Sequence, residues 1–273
     1  MPTFTAPDGT RLAYTDLGSG PPVLLLHGWS LDANAWEYQV AALVEAGYRC
    51  VTPDRRGHGR SEVAGSGYDL DTLVGDVAGL ADHLDLRDVT LVAHSMGTCE
   101  ATRWLAGGTD RVVRAVFVGA MTPYLVGAVG AAFVDGLVAD LRTDRPAWFQ
   151  GGAAAYFATA GTGSWVSQAL VDDGIRTILR TPLAVQTACL RTFAGTDLTD
   201  DLTRITVPVL VVHGDADASA PLEITGRPTA DLLPRARLTV HPGGPHGLYV
   251  TAKDALTAEI LEFVAETAAP APV

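Results

Sequence analysis

Residues 93–97 read Ala-His-Ser-Met-Gly. An apolar run with strand character, Val89 to Ala93, leads into them, and a helical pattern, Met96 to Leu105, leads out. A serine between strand and helix in this setting is the G-x-S-x-G elbow, here with alanine in the first glycine place. So sharp a turn holds the serine backbone in a sparsely populated conformation. Small residues two before and two after it let strand and helix approach. A helix that begins at Met96 points free N–H groups and the positive end of its dipole at an oxygen reacting there. The chemistry such a serine performs is nucleophilic acyl transfer, and it needs a base, an acid behind the base, and donors for an oxyanion.

Seven histidines could supply the base. His83 falls on a solvated helix. His94 neighbours Ser95 and should point away from it, as neighbours on a turn do. His58 lies in the loop Arg56-Gly57-His58-Gly59-Arg60, where a structural role fits, and His241 ends the last strand. His27 and His213 end buried strands, as satisfied core histidines do. His246 differs: it lies in Gly243-Gly244-Pro245-His246-Gly247, between the last strand and the last helix. Parallel-sheet enzymes carry their chemistry on such loops, at the carboxyl ends of strands. The acid should come from Gly214 to Pro221. Asp215, directly after the glycine, suits bonding to loop amides; Asp217, further out, can reach the histidine loop. Two backbone N–H groups are candidate oxyanion donors: that of Met96, and that of Trp29, in the loop after the strand Val23 to His27.

These side chains need a frame. Phe4 to Ala6 and Leu12 to Asp16 read as a hairpin around Pro7-Asp8-Gly9. Val23 to His27 is a continuous apolar run, the pattern of a strand covered on both faces. Strands at Tyr48 to Pro53, Val89 to Ala93, Val113 to Val118, Val207 to His213 and Leu238 to His241 alternate with helical patterns at Ala35 to Ala46, Tyr68 to Leu84, Met96 to Leu105 and Ala252 to Ala265. Repeated strand–helix units predict a mostly parallel central sheet with an antiparallel N-terminal edge and helices on both faces. From Met121 to Arg180 the strand signal stops. The segment reads as helices carrying Trp148, Phe149, Tyr156, Phe157 and Trp165, a helical cap inserted after the sixth strand. The expected organisation is a core of 1–120 and 183–273 with a cap at 121–182.

Composition narrows the partners. A formal net charge of −12 over 273 residues argues against nucleic acid, which needs a basic patch. Lys253 is the sole lysine. Three widely spaced cysteines, Cys50, Cys99 and Cys189, make neither a disulfide framework nor a CxxC metal pair. No histidine pair has helical ligand spacing, so no metal is expected. Met1 to Gly9 lacks a basic stretch followed by an apolar run, and no apolar run reaches the roughly 20 residues that span a bilayer. The default expectation is a cytoplasmic chain with a small-molecule substrate and no membrane partner, a homo-oligomer being left open. The small, Pro-containing tail from Ala268 onward is expected to be loose.

Taken together, His27-Gly28-Trp29, the run Asp54-Arg55-Arg56-Gly57-His58-Gly59-Arg60-Ser61, the elbow at Ser95, the loop around Asp217 and Pro245-His246-Gly247-Leu248 resemble the bacterial aryl esterases and cofactor-free haloperoxidases (perhydrolases) of the α/β-hydrolase fold. The likeness covers nearly the whole chain, and the order serine, aspartate, histidine is that of this fold. The resemblance implies a Ser95–Asp217–His246 triad, oxyanion donors on Trp29 and Met96, and an apolar substrate pocket lined by Met121, Leu248, Trp148, Phe149 and Phe157. It implies hydrolysis of small or aryl carboxylic esters without metal, haem or other cofactor. It also implies that members of the haloperoxidase type form peracids from a carboxylic acid and peroxide; many of these carry proline where this chain has Ser30, a departure that favours plain ester hydrolysis here. A lactonase, a carbon–carbon bond hydrolase or a tailoring hydrolase would use the same triad, and a non-catalytic receptor could share the fold. The serine at the elbow speaks against epoxide and haloalkane hydrolysis, which use aspartate there.

Overall fold

A computed structural model describes residues 1–157 and 166–268. The expected cap aromatic Trp165 and the last five residues of the tail lie outside that range. The strands are β1 (Thr3–Thr5), β2 (Arg11–Leu17), β3 (Pro22–Leu26), β4 (Arg49–Pro53), β5 (Val89–His94), β6 (Val112–Val118), β7 (Val209–Gly214) and β8 (Ala236–His241). They form one sheet in the order β1-β2-β4-β3-β5-β6-β7-β8. β1 and β2 run antiparallel to their neighbours, and the other six are mutually parallel. β7 starts at Val209, later than its apolar run implies. Pro208 has no N–H for a ladder, although its carbonyl accepts from Ala115 at 3.0 Å.

Period-2 alternation builds the core on both faces of the sheet. Leu24 and Leu26 of β3, Phe117 of β6 and Val211 of β7 face one side. There they meet α2 (Leu70–His83), whose N-cap Asp69 accepts from the Thr72 amide, and α3 (Met96–Ala106). Val23 and Leu25, Val116 and Val118, and Leu210 and Val212 face the other. That side is covered by α1 (Glu37–Glu45), entered through a 3-10 turn at Ala33–Trp36, and by the final helix, Lys253–Ala268.

Between β6 and β7 come α4 (Leu125–Val129), α5 (Ala131–Phe157), α6 (Gln168–Arg180), α7 (Leu183–Gly195) and the short α8 (Thr199–Thr203). α5 kinks at Asp144, whose φ is −153°. The Asp144 carboxylate accepts from the Ala147 amide at 3.0 Å and so caps the second segment. Pro146 then sits in a first turn, where its missing N–H costs nothing. Val134, Val138 and Leu141 of α5 pack with Val185 and Phe193 of α7 and with Met96, Cys99 and Met121 from beside the elbow. No helix among the described residues is long and apolar enough to cross a membrane. After α7 the chain also forms α9 (Gly226–Leu232), α10 (Leu248–Thr251) and the final helix already named, α11.

Candidate active site

Ser95 occupies the turn between β5 and α3 at φ 54° and ψ −122°. A non-glycine residue there is strained by about 1–3 kcal/mol. The conformation persists because both flanks are locked. The Ser95 amide donates to the Val118 carbonyl at 3.0 Å. Gly97 lies so close to β3 that a Cβ on it would stand 2.9 Å from the Leu26 carbonyl oxygen.

The Ser95 hydroxyl donates to His246 Nε2 at 2.9 Å, and His246 Nδ1 donates to Asp217 Oδ2 at 2.6 Å. All three residues are buried. The other Asp217 oxygen, Oδ1, accepts from the Ser219 and Ala220 amides at 2.9 and 2.7 Å. Burial works against ionising Asp217, but His246 and these hydrogen bonds outweigh it and hold the carboxyl below the usual range. The neighbouring Asp215 instead accepts from the Gly243 amide at 2.5 Å, tying the acid loop to the histidine loop. Close backbone approach decides both loops: a Cβ on Gly119, at φ +53°, would sit 3.1 Å from His246 Nδ1. Gly119→Ala is therefore expected to displace the imidazole and slow turnover by about 10²-fold, read as kcat on any ester the parent hydrolyses.

The loop after β3 presents the Trp29 amide. His27 Nε2 accepts from the Arg55 amide at 3.0 Å, so its proton sits on Nδ1 and is donated to the Gly28 carbonyl at 2.8 Å. The two ends of a trans peptide unit point oppositely, so fixing the Gly28 oxygen also fixes the direction of the Trp29 N–H. Among the described residues, neither the Trp29 nor the Met96 amide has a hydrogen-bond partner. Beneath the loop, Arg55 pairs with Glu100 at 2.5 Å and donates to the His27 carbonyl at 2.7 Å, all within the protein interior.

The remaining histidines sort by their partners. His94 turns away from Ser95, and its Nε2 donates to the His246 carbonyl at 3.1 Å. His58 Nδ1 donates to the Arg56 carbonyl at 2.9 Å. His213 Nε2 donates to the Ala220 carbonyl at 2.7 Å. His241 pairs with Glu259 at 3.0 Å, and His83 stacks on Phe4. Burial lowers His27, His58, His94 and His213 below the ordinary 6.5, His58 to about 3. Each is neutral when folded and protonates when unfolded, so the unfolded chain holds more protons below pH 6.5. Stability is then lost as pH falls through that window, by up to about 1.4 kcal/mol per pH unit for each histidine. A scan from pH 7 to pH 5 should show the thermal midpoint dropping; a flat midpoint would contradict neutral burial.

Above Ser95 and His246 opens a cavity of about 330 Å³. Met121, Trp148, Phe149 and Phe157 line it, as does Trp29. Leu248 does not. As the first residue of α10 it turns into the core with Val118, Val212 and Leu256, behind the histidine loop. The family resemblance implies a place in the pocket for it, and the structure instead packs it in the core. The cavity also takes Tyr156 from α5, Leu190 and Phe193 from α7, and Ser219 beside Asp217. For Tyr156, Leu190 and Phe193 the only sequence signal was apolar periodicity, which does not separate a cavity wall from a packing face; Ser219, in a loop, carried none.

A doubly wound parallel sheet with a serine–imidazole–carboxylate row at the carboxyl ends of its strands defines the α/β-hydrolase class of protein. The alpha/beta hydrolase fold family profile matches residues 21–253. A non-heme chloroperoxidase of Kitasatospora aureofaciens is 38% identical over 97% of this chain and 99% of its own. Among solved structures, a bromoperoxidase from Bacillus anthracis matches with a TM-score of 0.90 and 35% identity, over 97% of this chain and 100% of that one. An esterase from Exiguobacterium antarcticum also matches at 0.90, with 30% identity, over 96% and 98%. The chain belongs to the alpha/beta hydrolase fold family, in its branch of non-heme haloperoxidases and esterases.

Proposed function

We propose that the protein is a serine esterase acting on small or aryl carboxylic esters. The observation that carries this reading is the row Ser95 Oγ, His246 and Asp217, at 2.9 and 2.6 Å, on the floor of an apolar cavity. Ser95 attacks the ester carbonyl while His246 Nε2 takes its proton, and Asp217 stabilises the imidazolium. The amides of Trp29 and Met96 receive the oxyanion. His246 returns the proton to the leaving alcohol, and an acyl group remains on Ser95. Water, activated by His246, then releases the acid and regenerates the hydroxyl. The segment 121–182 acts as the cap that roofs the acyl site over a core of 1–120 and 183–273, with Leu190 and Phe193 contributed from the core side. No cofactor enters these steps.

The names of the relatives favour a second reaction on the same acyl-enzyme. Hydrogen peroxide replaces water, and the product is a peracid. One feature of this chain weighs against it as the main activity. Ser30 is at φ +63°, a conformation closed to proline, so the loop after Trp29 cannot take the proline-bearing form without turning over. A lactone or carbon–carbon substrate would use the same residues.

The test is labelling and turnover together. A fluorophosphonate probe should attach to Ser95, and p-nitrophenyl acetate and phenyl acetate should be hydrolysed, with peracid formed more slowly at equal ester. Labelling without turnover of any ester would point to lactone or carbon–carbon substrates, and absence of both would refute the reading.

A further inference from the structure

We propose that Tyr156, next to last in α5, is a positioning residue that holds His246 in register with Ser95, so that the cap helix takes part in setting the base. The inference rests on His246 being that base.

Three contacts of different kinds converge there. The Tyr156 carbonyl accepts from the Gly247 amide at 2.9 Å. It brings the partial negative charge of a carbonyl oxygen to the residue next to an imidazole that must become cationic. The phenol ring meets the His246 ring edge-on at 5.3 Å between centroids. Its hydroxyl lies 3.3 Å from that of Tyr249, whose ring packs at 4.9 Å against His94. His94 in turn donates to the His246 carbonyl. The histidine loop is thus gripped from the elbow side through His94 and from the cap side through Tyr156.

Gly247 makes the grip close. Its own φ, −79°, suits any residue, yet a Cβ there would stand 2.7 Å from the Tyr156 carbonyl oxygen. It would also stand 3.3 Å from Cδ1 and Cε1 of the Tyr156 ring, so alanine at this position presses the carbonyl and the ring away from the histidine loop together. The variant keeps every side chain that lines the cavity, Tyr156 included, so a loss of kcat in it reports a shifted clasp and not a deleted lining group.

The experiment measures kcat and KM on p-nitrophenyl acetate and p-nitrophenyl hexanoate for the parent, Tyr156→Phe, Tyr156→Ala and Gly247→Ala. Positioning acts on the chemical step. Tyr156→Ala and Gly247→Ala should each lower kcat by about tenfold on both esters, with KM little changed, and Tyr156→Phe should stay near the parent. In parallel, the low-field proton NMR signal of the His246–Asp217 hydrogen bond should broaden in the Ala variants and persist in Tyr156→Phe, a readout that needs no turnover. Loss confined to KM on hexanoate, or an unchanged signal in folded Gly247→Ala, would overturn the proposal. A parent that hydrolyses neither ester would instead refute the esterase reading, and the NMR comparison would still decide the role of Tyr156.

Discussion

Ser95→Ala is expected to lower kcat on p-nitrophenyl acetate by at least about 10⁴-fold while leaving the thermal midpoint close to the parent value. In the proposed mechanism the hydroxyl is the atom that becomes acylated, and no neighbour can take its place. Cys99, one turn along α3, is buried, and burial pushes its thiol well above the usual range. His94 faces away, bonded to the His246 carbonyl. A residual rate should survive, because the Trp29 and Met96 amides still stabilise an oxyanion formed by water. The backbone strain at φ 54° is unchanged by alanine, so stability should not improve; Ser95→Gly would relieve it and should raise the midpoint. A variant with near-parental turnover would remove the serine from the mechanism.

Asp217→Asn should cost nearly as much, about 10⁴-fold in kcat, and the structure gives the reason atom by atom. Oδ1 is taken by two donors, the amides of Ser219 and Ala220. An asparagine would keep its carbonyl oxygen there and turn its NH₂ toward His246 Nδ1. That nitrogen must then accept, so the proton moves to Nε2, the atom that has to receive the proton of Ser95. The imidazolium also loses its counter-charge. The rate loss should appear in kcat far more than in KM, since Asp217 stands behind His246 and is not among the residues lining the cavity. Fluorophosphonate labelling should slow in proportion, which gives a check independent of the substrate chosen. A tenfold effect or less would mean that another group sets the tautomer.

Much of this site was legible before any coordinates because its parts are local. An elbow needs only a strand, a serine between small residues and a helix, all within Val89 to Ala106. The choice of Asp217 over Asp215 was also local. A carboxylate directly after the strand-ending glycine finds loop amides first, and Asp215 does bind that of Gly243. The mostly parallel sheet and its antiparallel edge, too, follow from alternating strands and helices, whereas the placing of β4 between β2 and β3 does not. The roof of the cavity was less legible. Tyr156 and Phe193 carry the same apolar signal as residues buried between helices, and Leu248 carries a stronger one than either.

What sequence alone determined is therefore the frame and the proposed reacting row, since Ser95, His246 and Asp217 each lie where a short stretch of chain dictates its own geometry. Tertiary structure alone decided which side chains line the cavity and which pack against the imidazole. Those outcomes depend on how α5 and α7 lie across the sheet and on where the chain turns after His246. Packing between elements far apart in sequence sets both, and the period of a hydrophobic pattern holds no information about which partner its apolar face will find.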